Sequence, residues 1–310
     1  MSITTPYVDG RIGLALTNAV APANSLASIA QRTTNESASG ESTPLDFLGG
    51  VPGFNKWKDK RRKAKPIPYA WSLQNDKFES SIVIPDEWMI GDKTDNVNRR
   101  IAGLVEKYSI WPGALVAALI NNSASALAFD GKAFFASDHV WGDSGTIDNA
   151  IDVTAASGTT PTADEFAIGI MAAYAQMLGF KDDLGEPINE NISSLVVVCG
   201  AALAGTAMQA INGAQLDTGT GTRDNPIRGM ASMGVNISLV ASPRVTSATK
   251  FYLIKNDPLA CPFIFSENKS LMNRTVKDDR HDNDQWEFGL KAVGNAAYGL
   301  FTDAVEGTFT

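Results

Sequence analysis

Tyr69-Ala70-Trp71-Ser72-Leu73-Gln74-Asn75-Asp76-Lys77-Phe78-Glu79-Ser80-Ser81-Ile82-Val83-Ile84 is the stretch on which the fold turns. Tyr69, Trp71 and Leu73 alternate with small or polar residues, and Phe78, Ile82 and Ile84 fall on one face of the run after them. A period of two is the signature of a half-buried strand. Gln74-Asn75-Asp76 supplies turn residues between the runs, so the spacing predicts a β-hairpin over 67–84. Two strands alone are marginal in water. This hairpin must therefore lie on something, either its own domain or another subunit.

Just upstream, residues 51–65 carry Lys56, Lys58, Lys60, Arg61, Arg62, Lys63 and Lys65 against the single acid Asp59, a local charge of +6. Most charge runs are solvated faces. The sharper reading is contact with an acidic partner. Residues 1–50 lack a strong period, and Gln31 to Pro44 is rich in Ser, Thr, Asn, Glu and Gly. That composition reads as an extended arm or linker.

Downstream, Val97, Ile101, Leu104, Val105 and Tyr108 form a helical stripe over 95–108, with Thr94 or Asp95 as cap. Pro112 suits the first position of a second apolar helix ending near Asn121-Asn122. Thr162-Ala163-Asp164-Glu165 is a capping box opening a helix over 162–179, with Phe166, Ile170, Met171, Tyr174, Met177 and Leu178 on its apolar face. Leu195 to Cys199 reads as a buried strand and Ala201 to Ile211 as a helix. Alternation at Val235/Ile237/Leu239, the run Phe251 to Ile254, and alternation at Trp286/Phe288/Leu290 then give strands. The order is hairpin, helices, then mixed strand and helix: an α+β chain, not a repeating βαβ one.

Composition narrows the function. The 310 residues carry 26 Lys+Arg against 34 Asp+Glu, a net charge of −8, with 44% apolar residues. An acidic chain is not a general nucleic-acid binder. No apolar run approaches the roughly 18 residues of a membrane helix. Ile12 to Leu16 is too short, and Asp9 beside Arg11 leaves no net positive charge, for a secretory signal. Two cysteines, Cys199 and Cys261, make neither a disulfide framework nor a zinc site, which favours a reducing compartment.

Possible chemistry is thin. Gly142-Asp143-Ser144-Gly145 copies a serine-nucleophile tetrapeptide, but the only nearby histidine, His139, is five residues from the serine. Cys199 with His139 could be a thiol pair, yet Cys199 ends an apolar strand, where cysteine behaves as a small hydrophobe. Asp278, Asp279, Asp282 and Asp284 could hold a hard cation, but lack the glycine and glutamate of a calcium loop. Thr218-Gly219-Thr220-Gly221-Thr222 fits no phosphate-binding pattern and reads as a mobile surface loop. No catalytic, cofactor or metal residues are assigned, and a structural or binding protein is expected rather than an enzyme.

Asp130-Gly131-Lys132-Ala133-Phe134-Phe135-Ala136-Ser137-Asp138-His139 then meets a known pattern. With Asn149 downstream, Trp57 and Arg61 in the basic run, and Asp183-Leu184-Gly185-Glu186-Pro187 ahead of Leu195 to Val198, it resembles the Mu-like bacteriophage major head (capsid) subunit family over about residues 47–310. The resemblance implies a Hong-Kong-97-type α+β capsid fold. Residues 1–50 would be an N-terminal arm and 51–92 an extended β-hairpin loop lying across a neighbour. Residues 93–159 and 265–295 would form a peripheral domain with a spine helix and peripheral loop. Residues 160–264 and 296–310 would form an axial domain. It implies self-assembly into hexamers and pentamers of a virion head around double-stranded DNA, built in the host bacterial cytoplasm. Portal, a separate scaffold and cement proteins would be partners, with no membrane. Lys56, Trp57, Lys58, Lys60, Arg61, Arg62, Tyr69, Trp71, Phe78, Glu79, Asp86, Glu87, Asp278, Asp279, Arg280, Asp282 and Asp284 are then candidate intersubunit contacts. The basic base of the hairpin would pair with a neighbour's acids, among them Glu79, Asp86, Glu87 and Asp92. Another phage structural protein (tail or decoration subunit) and an encapsulin-like shell stay open.

Overall fold

The computed structural model describes residues 5–18, 25–34, 42–48, 68–91 and 94–310. In chain order, α1 (Thr5–Thr17), β1 (Ala30–Thr34) and β2 (Ser42–Leu48) lead to β3 (Pro68–Gln74), β4 (Asp76–Pro85), α2 (Asp86–Ile90) and α3 (Thr94–Asn121). A largely irregular stretch holds β5 (His139–Val140), β6 (Thr146–Ile147) and β7 (Ala150–Val153). Then come α4 (Ala163–Leu178), β8 (Ser194–Cys199), α5 (Ala204–Asn212), β9 (Gln215–Asp217), β10 (Thr222–Asp224), α6 (Pro226–Ser232), β11 (Asn236–Ala241) and β12 (Lys250–Lys255). β13 (Phe263–Glu267), β14 (Asn273–Asp279), α7 (Arg280–Asn283), β15 (Gln285–Tyr298) and β16 (Ala304–Phe309) complete it.

Two five-stranded sheets organise these elements. In the first, β15 is central: β4 runs along one side, β13 and β14 lie end to end along the other, and β1 adds in parallel to β13. The second has the order β11-β8-β12-β16-β7, with α4, α5 and α6 packed on it. β8 and β12 are buried along almost their whole length, which is why Leu195 to Cys199 and Phe251 to Ile254 read as continuous apolar runs. α4 begins as its sequence requires: Thr162 accepts from the Glu165 amide and the Glu165 carboxylate accepts from the Thr162 amide. Among the described residues no helix is long and apolar enough to cross a membrane.

The predicted hairpin is not one. β3 and β4 are separated by Asn75 alone and do not pair. β3 pairs antiparallel with β2, from Ser42 opposite Gln74 to Leu48 opposite Pro68. β4 pairs with β15, from Pro85 opposite Gln285 to Asp76 opposite Gly294. One intervening residue cannot reverse a chain into a two-residue turn. The Asn295 amide instead bridges the Gln74 carbonyl and the Asp76 carboxylate, so the chain passes from one sheet to another at that point. The ribbon β2–β3 belongs to neither large sheet, and the segment joining its strands holds the basic run.

Three further expectations change. The arm contains a helix: Val8, Ile12 and Leu16, four apart on α1, bury against Val97, Ile101 and Leu104 of α3 and Phe288 and Leu290 of β15 in a smaller second core. The two expected helices are one. α3 runs 28 residues, about 42 Å, straight through Pro112. Pro112 cannot donate to the Tyr108 carbonyl, yet Pro112 and Gly113 are buried, and a Cβ on Gly113 would come within 3.2 Å of the Ala27 amide nitrogen. That close packing on the 26–29 turn holds the helix continuous. Finally, the charged 277–284 loop is the end of β14 plus the single turn α7, and Thr218 to Gly221 is the tight turn of the β9–β10 hairpin.

Candidate functional site

The segment from Asp130 to Asn149 links α3 to the second sheet through buried polar contacts. The Asn149 amide donates to the Phe134 and Phe301 carbonyls at 2.9 and 3.1 Å, and its oxygen accepts from the Ala136 amide at 2.9 Å. His139 is fully buried, with Nδ1 2.6 Å from an Asp130 carboxylate oxygen and its ring stacked on Phe301 at 4.0 Å. Phe134 stacks on Tyr298 at 4.6 Å. Asp130, the paired aromatics, the histidine and the asparagine of this motif are thus internal struts, while Gly131 is an exposed turn residue at φ +80°.

The chemical readings dissolve in the same geometry. The Ser144 hydroxyl accepts from the Trp141 amide and donates to the Gly145 carbonyl, while His139 is held by Asp130 and Phe134. Gly142, at φ +57°, lets the turn pass the Asp183 backbone, where a Cβ would lie 2.6 Å from a carbonyl oxygen. Burial pushes the Cys199 thiol up to about 11. Burial, with Asp303 adding to it, pushes Cys261 up to about 12. Neither is a ready thiolate nucleophile. Among the described residues no group of three His, Cys, Asp or Glu could hold a metal ion.

The candidate contact residues divide by place. Lys56, Trp57, Lys58, Lys60, Arg61, Arg62 and Asp92 lie outside the described residues. Tyr69 and Trp71 have a register only, on β3 opposite Phe47 and Leu45. Phe78 packs its ring on Trp111 of its own α3 at 5.0 Å, and Trp111 meets Phe265 edge-on at 5.2 Å. Glu79 is exposed opposite Lys291.

The others converge at one end of the first sheet. The Asp86 amide donates to the Asp284 carbonyl at 2.9 Å, and the Asp86 carboxylate accepts from the Trp286 indole at 2.9 Å. Arg280 lies over the Trp286 ring at 4.5 Å and holds Asp278 in a two-pronged pair at 2.9 and 2.7 Å. That pair draws the Asp278 carboxyl down to about 2. Asp279 accepts from Asn283 and Gln285, which lowers its pKa. Glu87, Asp282 and Asp284 stay exposed. The result is an acidic knob, internally braced by one arginine and one tryptophan. Charge runs made it findable in sequence. The Asp86 contribution comes from 200 residues away, and no local pattern signals it.

Two sheets bridged by one long helix, with a two-stranded ribbon outside both, form a Hong-Kong-97-type capsid fold. The family model of phage capsid proteins matches residues 73–306. Solved structures share the fold. The cyanophage P-SCSP1u capsid aligns at TM-score 0.55 and 12% identity, over 91% of this chain and 86% of that one. The bacteriophage JBD30 procapsid aligns at 0.52 and 14%, over 99% and 76%. A virus-like particle from Pyrococcus furiosus aligns at 0.52 and 11%, over 96% and 98%. Comparison with curated protein sequences finds no match. The chain belongs to the phage capsid protein family.

Proposed function

We propose that the chain is the major subunit of a tailed-phage head, a structural protein that assembles with its own copies into hexamers and pentamers around double-stranded DNA. The observation that carries this reading is the family match over most of the chain, on a fold whose β2–β3 ribbon stands outside both cores. The ribbon's base is anchored: Thr43 and Ser266 hydroxyls lie 2.7 Å apart, and Leu73 packs with Ile264 and Ala297. In this reading the basic residues between its strands contact another subunit. The acidic candidates among the described residues are Glu79 and Glu87, which are exposed, and Asp86. Heterologous contacts of this kind close into rings.

In this reading α3 is the spine helix, the first sheet is the core of the peripheral domain, and the second sheet with α4, α5 and α6 is that of the axial domain. β7 (Ala150–Val153) hydrogen-bonds to β16, so the axial sheet reaches back before residue 160. Assembly takes place in the host bacterial cytoplasm, with portal, a separate scaffold and cement proteins as partners and the DNA on an acidic inner wall.

The test is expression of the chain alone, with size-exclusion light scattering and negative-stain imaging, then co-expression with a scaffold candidate. Shells, tubes or capsomer rings are expected. A chain that stays monomeric in both settings overturns the reading. A shell without a phage is the second reading, favoured by the almost complete mutual coverage with the Pyrococcus furiosus particle. Nuclease-protected DNA in purified particles separates the two.

A further inference from the structure

The exposed face of α3 beside β4 carries a second charged feature of opposite sign to the knob. A groove of about 520 Å³ runs between them, lined by Arg99, Arg100 and Lys107 of α3 and by Ser80 and Ser81 of β4. Every charged residue in that lining is a cation. Arg100 and Lys107 are seven residues apart, two helical turns, so both point along one stripe about 10.5 Å long. Among the described residues Arg99 and Lys107 make no ion pair, and the one contact of Arg100 is the face of Trp88 at 5.9 Å. Unpaired cations clustered on a protein of net charge −8 call for an anionic partner.

The same chain offers one. Asp282 is 74% exposed and touches only His281, and Asp284 closes the α7 turn in the left-handed region at φ 49° with its side chain exposed. Behind the turn, Arg280 holds Asp278 and Asn283 holds Asp279. The acidic turn and the three cations of the groove are complementary in charge.

We propose that the α3–β4 groove receives the Asp282–Asp284 turn of a second copy of this chain. The contact is heterologous, one patch against a different patch, and so propagates from copy to copy. It rests on the reading of the chain as a shell subunit. It is separate from the ribbon's contact, which uses the 56–62 run.

The test compares the wild-type chain, R100E/K107E, D282K/D284K and the four-fold exchange at low salt. Each one-sided reversal should raise the protein concentration at which shells or rings form by at least about tenfold, a 1.4 kcal/mol effect, with circular dichroism unchanged. The exchange should recover most of the loss. One-sided variants that assemble like wild type, or an exchange that recovers nothing, overturn the proposal. A second measurement holds even if the chain alone builds no shells. K107C/D284C in concentrated protein should give a disulfide-linked dimer on a non-reducing gel. A monomer band only, beside wild-type shells, sinks the groove contact and leaves the shell reading intact. A dimer band with no shells even on co-expression with a scaffold candidate sinks the shell reading and leaves the contact.

Discussion

At the residue scale, the motif that carries the family resemblance acts through buried hydrogen bonds. Asn149 is fully buried and satisfies three backbone groups. Replacing it with alanine leaves the Ala136 amide unpaired, at about 1–3 kcal/mol before relaxation, while the Phe301 carbonyl keeps the Ala304 amide and the Phe134 carbonyl keeps His139 beside it. Asn149→Ala should lower the melting temperature of the subunit by about 2–5 °C, read by differential scanning calorimetry. Cys199 and Cys261 give a pH prediction. Their folded-state thiols are raised to about 11 and about 12, above the ordinary value near 9. The protonated form is the one the fold favours, so this stability is fully present below pH 9 and is lost as pH rises from about 9 towards 11. Chemical denaturation midpoints should fall across that window, and less so in Cys199→Ala. At pH 8 both thiols should react with a chromogenic disulfide only after unfolding.

At the element scale, α1 is the part sequence reasoning missed. Val8, Ile12 and Leu16 are spaced four apart, a legible stripe, but Gly10 and Gly13 inside it lower helix propensity by up to about 1 kcal/mol each. The helix exists because α3 and β15 cover that stripe. Ile12→Ala should cost about 2–4 kcal/mol, measured by urea unfolding, and expose a site for a hydrophobic dye between α1 and α3. The capping box of α4 was fully legible, since all its parts lie within four residues. The pairing partners of β3 and β4 were not. Alternation says that a strand has two faces and is silent on which edge meets which neighbour, here residues 42–48 and 285–294.

At the scale of the whole molecule, repetition multiplies weak contacts. An exposed ion pair contributes about 0–1 kcal/mol and weakens with salt. Over hundreds of copies such contacts decide whether a shell closes. Charge reversal at Arg61 and Arg62 should block shell formation while leaving the subunit folded, read by negative stain beside circular dichroism. Normal shells from that variant would remove the basic run from assembly. Wild-type assembly through ionic contacts should also weaken between 0.05 and about 1 M salt, as the screening length falls towards 3 Å. Shells indifferent to salt would point to apolar contacts instead.

What the amino-acid order determined alone is what depends on neighbours along the chain: the α4 box, the apolar strands β8 and β12, the stripe of α3, the charge of the basic run and of the acidic knob. Tertiary structure decided the rest. It ran α3 through Pro112 because packing against residues 26–29 outweighs one missing hydrogen bond. It split an apparent hairpin between two sheets, and it brought Asp86 to Arg280 and Trp286. Those outcomes hang on contacts between residues tens to hundreds of positions apart. Such contacts form only when burial repays the entropy of closing the loops between them, and no local pattern records that balance.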